Sequence, residues 1–350
     1  MRLPSRLRAL ILIATVLDLR RLGRVVRAST KEPRTEEVEL AGVPVEIVRP
    51  GGEGPWPAWV FINGAHPERR REPVVTRLSR GLARAGYIVF VPDVPGLGEG
   101  TITTQTLDAT CAVTKAATEH AEVLRGRVAL IGASTGAALA LLTAARDDLR
   151  ERISVVAAVA PFADLTRMIC LATTSSYEEG GGFVAYPVTP LHRRVVARSL
   201  AAAIADESDR SRLLDSLANE DDDQDPIAIL PGDLATSEAQ AVVAVLRNEH
   251  PERFVVTYDA LPSRARELLE RLSPLAVCPN VAAPVELVVP PRDVYFPLGE
   301  AQALAAALPN AHLTVTATLD HTRPQLSVAH LRSLARFDRF VVRGLRAAAG

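Results

Sequence analysis
Lysine is almost missing from this chain of 350 residues: Lys31 and Lys115 are the only two among 40 basic residues, an arginine preference that reads as coding bias rather than function. Cysteine is scarce too. Cys111, Cys170 and Cys278 are odd in number, scattered, and form no Cys-x-x-Cys or Cys/His cluster, which excludes a disulfide framework and a zinc site. An excess of one charge is also lacking, and a formal net charge of −1 supplies no global field to recruit nucleic acid or an acidic substrate. No internal repeat is evident, and no apolar run reaches the roughly 20 residues of a membrane span. What is present is 48% hydrophobic residues in a chain long enough to bury a large core without cross-links.

The most informative stretch is Val128-Ala129-Leu130-Ile131-Gly132-Ala133-Ser134-Thr135-Gly136, which runs into the alanine- and leucine-rich segment 137–145. Its pattern predicts a buried strand that turns abruptly into a helix with Ser134 at the corner. Such a turn strains the serine backbone and crowds the positions two residues away on either side, where Gly132 and Gly136 stand. The helix N-terminus behind Ser134 favours developing negative charge. As a bare pattern Gly-x-Ser-x-Gly is weak; the strand before it and the helix after it give it weight.

A serine hydroxyl is a poor nucleophile at neutral pH, so the reading requires a histidine base, a carboxylate to orient it and donors for an oxyanion. The strand Val285-Glu286-Leu287-Val288-Val289 is followed by a loop carrying Asp293, just beyond a strand's carboxyl end, where open α/β sheets build their sites. A helical pattern from Leu298 to Leu308 and an alternating strand from His312 to Thr318 come next, and that strand leads into Leu319-Asp320-His321-Thr322.

The segment around Ser134 resembles the nucleophile elbow of the α/β-hydrolase family. In that family the acid and the histidine follow the serine in this order, so the resemblance assigns Ser134 as nucleophile, His321 as base and Asp293 as acid. Three acids rival Asp293. Asp164, after the strand Ile153 to Ala160, is the strongest because some relatives place their acid there; Asp320 adjoins His321 too closely to reach its ring, and Asp259 lies in a less regular region. The remaining histidines, including His66 and His192, lack the combination of strand end and order, and His66 stays unassigned. Asn63-Gly64-Ala65, after the strand Ala58 to Ile62, resembles the family's His-Gly-x loop with Asn63 in the histidine's place. By that resemblance the oxyanion hole combines the backbone N–H groups of Ala65 and Thr135. Asp93-Val94-Pro95-Gly96-Leu97-Gly98 resembles the family's Asp-x-x-Gly-x-Gly loop, a tight structural turn; no lysine follows to make it a phosphate cradle.

The expected fold is α/β, a mostly parallel central sheet with helices on both faces, built from residues 36–162 and 275–350. Predicted strands at Val43 to Val48 and Tyr87 to Val91 and helices at Val74 to Ala85 and Thr106 to Leu124 fill the first half. Residues 163–274 read as a mainly helical lid inserted after the sixth strand, with a flexible break at Glu178-Glu179-Gly180-Gly181-Gly182 and helices at Val195 to Ala205, Ser237 to Arg247 and Ser263 to Leu272. By analogy the lid shapes the substrate pocket, with Phe183, Tyr186, Phe254 and Tyr258 as lining or as packing inside the lid. Acids alternate at 221, 223 and 225, but Pro226 stands where a calcium loop needs glycine and no closing glutamate follows, so a solvated loop is expected.

Residues 1–35 are a basic extension. The apolar stretch Ala9 to Leu17 is flanked by arginines, and Asp18 follows where a signal peptide would have its cleavage site. Two readings stand: a helix packed on the body, or a basic amphipathic helix in peripheral contact with an anionic membrane surface. Either leaves the protein in the cytoplasm. The resemblance implies a serine hydrolase that cleaves a carboxylic ester or related acyl compound, a small molecule, through an acyl-enzyme and without a cofactor or metal. A C–C hydrolase or haloperoxidase activity, or a non-catalytic module that binds a small ligand, stands as the alternative.

Overall fold
The computed structural model describes residues 4–17, 20–218, 224–324 and 331–350. The acids at 221 and 223 and His330 lie outside them.

Two helices open the chain, α1 (Ser5–Val16) and α2 (Arg20–Ser29). The strands β1 (Arg34–Leu40), β2 (Val43–Arg49) and β3 (Trp56–Ile62) precede α3 (Pro73–Arg84) and β4 (Ile88–Pro92). Next come α4 (Thr104–Glu119), β5 (Val123–Ala133), α5 (Thr135–Ala144) and β6 (Ile153–Val159). These strands join β9 (Val285–Val289) and β10 (Ala311–Val315) in one eight-stranded sheet of order β1-β2-β4-β3-β5-β6-β9-β10. The β1–β2 and β2–β4 pairs are antiparallel and every other pair is parallel.

Alternation along the strands divides the core into two faces. Ala58, Val60 and Ile62 face one side with Leu130 and Ala158, where α4 and α5 pack; Trp59 and Phe61 face the other with Ile131 and Ala157, covered by α1, α3 and the last helix, α13 (Leu331–Ala349). Strands buried on both faces read as continuous apolar runs, as β4 does, while β9 is buried along its length but interrupted by Glu286.

Between β6 and β9 the chain leaves the sheet. It forms α6 (Leu165–Thr174), a hairpin of β7 (Ser176–Glu179) and β8 (Gly182–Ala185), then α7 (Pro190–Ala202), α8 (Glu207–Ser216), α9 (Ser237–Leu246), α10 (Pro251–Asp259) and α11 (Ser263–Arg271). The expected flexible break is a tight hairpin: Gly180 and Gly181 form its two-residue turn with φ of +63° and +83°, a conformation that suits glycine. After β9 come α12 (Leu298–Ala307), β10 and the short pair β11 (Leu319–Asp320) and β12 (Arg323–Pro324).

Three boundaries differ from expectation for local reasons. Helix α4 stops at Glu119, not Leu124, because β5 already pairs at Val123 with Trp56. Strand β10 ends at Val315, since the Thr316 hydroxyl accepts from the Thr318 N–H and turns the chain. The edge strand β1, with mostly exposed polar residues, carries no apolar alternation to announce it.

The N-terminal stretch packs on the body. Ala9, Ile11, Leu12 and Ala14 are buried, and the Arg8 guanidinium donates to the Tyr87 hydroxyl at 2.9 Å, which in turn donates to the Leu345 carbonyl at 2.6 Å. No helix among the described residues is long and apolar enough to cross a membrane.

Helix α13 is fixed to the sheet by charge as well as by packing. Arg343 donates from Nε and Nη2 to the two carboxylate oxygens of the buried Glu286 in β9, at 2.7 and 2.6 Å. Removing one partner strands the other. Arg343→Ala is expected to lower stability by about 3 kcal/mol in urea unfolding, and the double variant Glu286→Leu/Arg343→Leu to recover most of it, because an apolar pair replaces a buried charge at little cost. Equal losses in the single and double variants would contradict this account.

Candidate active site
Ser134 sits at the corner between β5 and α5 with φ 54° and ψ −122°, a left-handed backbone that costs a non-glycine residue of order 1–3 kcal/mol. Its N–H donates to the Val159 carbonyl at 2.8 Å, which ties the corner to β6. The two flanking glycines are required by approach. A Cβ on Gly132 would lie 2.2 Å from the Gly136 carbonyl oxygen, and one on Gly136 would lie 2.2 Å from the carbonyl oxygens of Ile62 and Asn63. Gly136 therefore lets the end of β3, and the Asn63-Gly64-Ala65 loop after it, lie against the elbow.

The histidine and the acid meet. His321 is the first residue of the turn between β11 and β12, with φ 49°, and its Nδ1 lies 2.9 Å from both Oδ1 and Oδ2 of Asp293. Asp293 is itself oriented: Oδ1 accepts from the N–H groups of Tyr295 at 2.8 Å and Phe296 at 3.3 Å, so the loop after β9 folds around its own carboxylate. The Tyr295 and Phe296 rings flank the imidazole, with centroids 4.6 and 5.6 Å away.

The rival acids have other places. Asp164 is the N-cap of α6, where Oδ1 accepts from the Thr166 and Arg167 N–H groups at 2.8 and 3.2 Å. Asp259 ends α10 in the insertion, and Asp320, in β11, lines the cavity described next without being the partner of Nδ1.

Ser134, His321, Ala65 and Thr135 line one cavity of about 360 Å³. Thr135 is the first residue of α5, whose N–H has no intrahelical acceptor, as at every helix start. Neither its amide nor that of Ala65 donates to another described residue. The Asn63 side-chain oxygen is buried without a hydrogen-bond partner, so among the described residues it braces nothing. His66 lines the mouth, where its Nδ1 accepts from the Glu68 N–H at 3.3 Å.

The aromatic residues named from the insertion do not line this cavity. Phe183 is exposed on the hairpin, Phe254 and Tyr258 pack on each other, and the Tyr186 hydroxyl donates to the Asp293 carbonyl at 2.6 Å, tying the hairpin to the acid's loop. The insertion contributes Leu191, His192 and Val195 of α7 instead. His192 gave no sequence signal, because its place in the site depends on how α7 docks. It is buried edge-on to Phe296, and its Nδ1 has no hydrogen-bond partner among the described residues.

Burial, and secondly the nearby His321, hold His192 down at about 4 from an ordinary 6.5. Between these values the unfolded chain binds a proton that the folded one refuses, so stability is full above pH 6.5 and falls as pH drops toward 4. The loss is of order 3 kcal/mol. His192→Gln should flatten this part of a Tm-against-pH curve; parallel curves for the two proteins would refute the assignment.

No metal-binding group of His, Cys, Asp or Glu occurs among the described residues. A serine hydroxyl, an imidazole held by a carboxylate, and two backbone N–H groups without an acceptor among the described residues thus border one cavity.

A family model for X-Pro dipeptidyl-peptidases (S15 family) matches residues 41–235. No curated protein matches the chain. Among solved structures it is similar to a 2,6-dihydroxy-pseudo-oxynicotine hydrolase, at 16% identity and a TM-score of 0.51 over 93% of this chain and 73% of that one. It is similar to an esterase of Pyrococcus furiosus at 15% identity and a TM-score of 0.50, covering 93% and 94% of the two chains. Dipeptidyl peptidase 4 of Porphyromonas gingivalis aligns at 13% identity and a TM-score of 0.52 over 93% of this chain and 37% of its own. These likenesses establish the α/β-hydrolase fold.

Proposed function
The chain belongs to the X-Pro dipeptidyl-peptidase (S15) family of α/β-hydrolases, and from that premise we propose that it is a serine hydrolase acting on a carboxylic ester or a closely related acyl compound. One observation carries the reading: a histidine whose Nδ1 lies 2.9 Å from both oxygens of a preoriented aspartate lines the same cavity as a serine on a strained elbow. Asp293 holds the tautomer of His321 with the proton on Nδ1, which leaves Nε2 to take the Ser134 proton as Oγ attacks the carbonyl. The oxyanion forms against the Thr135 and Ala65 amides, where fixed donors lower the barrier. His321 then protonates the leaving group. Water, deprotonated by the same nitrogen, releases the acyl group from Ser134.

The test is labelling by a fluorophosphonate probe, with wild type compared against Ser134→Ala and His321→Ala, followed by hydrolysis of p-nitrophenyl butyrate. Labelling lost in both variants supports the mechanism. A folded wild type that neither labels nor hydrolyses any ester rejects it in favour of a ligand-binding module. The family match favours a second reading, release of Xaa-Pro dipeptides. Faster turnover of Ala-Pro-p-nitroanilide than of the butyrate ester would select it.

A further inference from the structure
A second cavity, of about 90 Å³, lies behind the first, between the sheet and the helices α1, α3 and α13. Its walls are almost entirely apolar: Leu12 and Val16 of α1, Trp59 of β3, Leu82 of α3, Phe337 and Phe340 of α13. The two cavities share Val74, Leu78, Ile131, Val159 and Thr322, so a single layer of side chains separates the second from the space around Ser134. Ile131 stands near the carboxyl end of β5, three residues before Ser134, and Val159, the last residue of β6, itself carries the carbonyl that accepts from the Ser134 N–H.

We propose that this cavity receives the unbranched aliphatic tail of the substrate, so that the acyl compounds turned over are medium-chain ones whose tail runs from Ser134 past Ile131 toward α13. The proposal rests on the serine-hydrolase reading and adds the substrate class to it. Such a tail leaves water for a site whose described walls are almost entirely apolar, with Thr322 and the indole N–H of Trp59 as polar groups among them, which favours it by about 0.8 kcal/mol, or three- to fourfold, per methylene. The space exists because α13 presents Gly344 to it: a Cβ there would meet only Trp59, at an ordinary 3.8 Å. Position 344 therefore accepts a side chain that fills the cavity from the helix side, and alanine for glycine favours a helix in itself. The N-terminal segment, packed on the body as α1, is by this account a wall of the binding site.

Trp59 reports on the cavity directly. In a Trp56→Phe background it is the sole tryptophan of the chain. With Ser134→Ala added to prevent turnover, 8-bromooctanoate should quench Trp59 emission saturably, by contact with the terminal bromine, and Gly344→Leu should abolish the quenching. In the parallel kinetic arm, kcat/KM for p-nitrophenyl acetate, butyrate, hexanoate and octanoate should rise three- to fourfold per methylene before levelling. The octanoate-to-acetate ratio should fall at least tenfold in Gly344→Leu. If leucine prevents folding, Gly344→Ala gives the same direction at smaller size.

Absence of quenching in the unfilled protein, or quenching indifferent to Gly344→Leu, overturns the tail pocket, including the case in which the chain's own residues occupy it. Fluorophosphonate labelling of Ser134 separates the two levels. Labelling with a flat chain-length profile and no quenching removes the tail pocket and leaves the hydrolase. A folded protein that never labels removes the hydrolase, and the quenching result still decides the cavity.

Discussion
Ser134→Ala is expected to abolish fluorophosphonate labelling and to lower kcat for ester hydrolysis by about 10⁴-fold or more, while the melting temperature stays within a degree or two of wild type. The size follows from the interdependence of the three groups: without the hydroxyl, the imidazole and carboxylate have nothing to activate, and only binding and the oxyanion amides remain. His321→Ala should cost about as much, and the double variant little more than either single one. Asp293→Asn should keep the fold but leave the imidazole in the wrong tautomer, with a loss on the order of 10⁴-fold. Stability supplies an independent check. Alanine at 134 inherits the φ of 54°, whereas glycine does not pay for it, so Ser134→Gly should be inactive and more stable by about 1 kcal/mol. A Ser134→Ala protein retaining a tenth of wild-type activity would show that the nucleophile lies elsewhere.

What the sequence made legible is what local chemistry encodes. The elbow could be read because Gly132 and Gly136 each stand where the packing leaves no room for a Cβ, and the parallel sheet because strands covered on both faces, such as β4, carry runs of apolar residues. Asp293 and His321 stand in the order that the resemblance gives, and they lie in hydrogen-bond contact although 28 residues separate them. Asp164, the strongest rival, was read correctly as following β6, but an aspartate one residue ahead of a helix has a nearer use as its N-cap. His192 and the α7 wall were invisible for the opposite reason. Their role depends on docking a helix of the insertion against Phe296, and no pattern within α7 records its partner. For the four aromatics of the insertion the sequence left lining and packing both open, because a large apolar ring suits a pocket wall and a helix contact equally well; none lines the cavity, and Phe254 and Tyr258 pack on each other.

Gly136→Ala should be among the most damaging single substitutions in the chain, lowering stability by more than about 4 kcal/mol or preventing accumulation of folded protein. The new Cβ would stand 2.2 Å from two carbonyl oxygens, those of Ile62 and Asn63, and 2.7 Å from the Asn63 carbonyl carbon. These are backbone atoms at the end of a central strand, hydrogen-bonded to β5 up to the Ile62–Gly132 pair, so no side chain can rotate away to relieve the contact. Relief requires the Asn63-Gly64-Ala65 loop to move off the elbow, which carries the Ala65 amide away from the Thr135 amide. The two consequences separate by experiment. If some folded protein survives, its rate of fluorophosphonate labelling should fall along with its stability, because the same displacement opens the oxyanion site. Ala138→Gly, two residues further along α5, provides the control: it should cost only about 1 kcal/mol through helix propensity and lost burial and leave labelling unchanged. A Gly136→Ala protein of wild-type stability would mean that β3 and the elbow do not lie in the close contact from which the whole site is built.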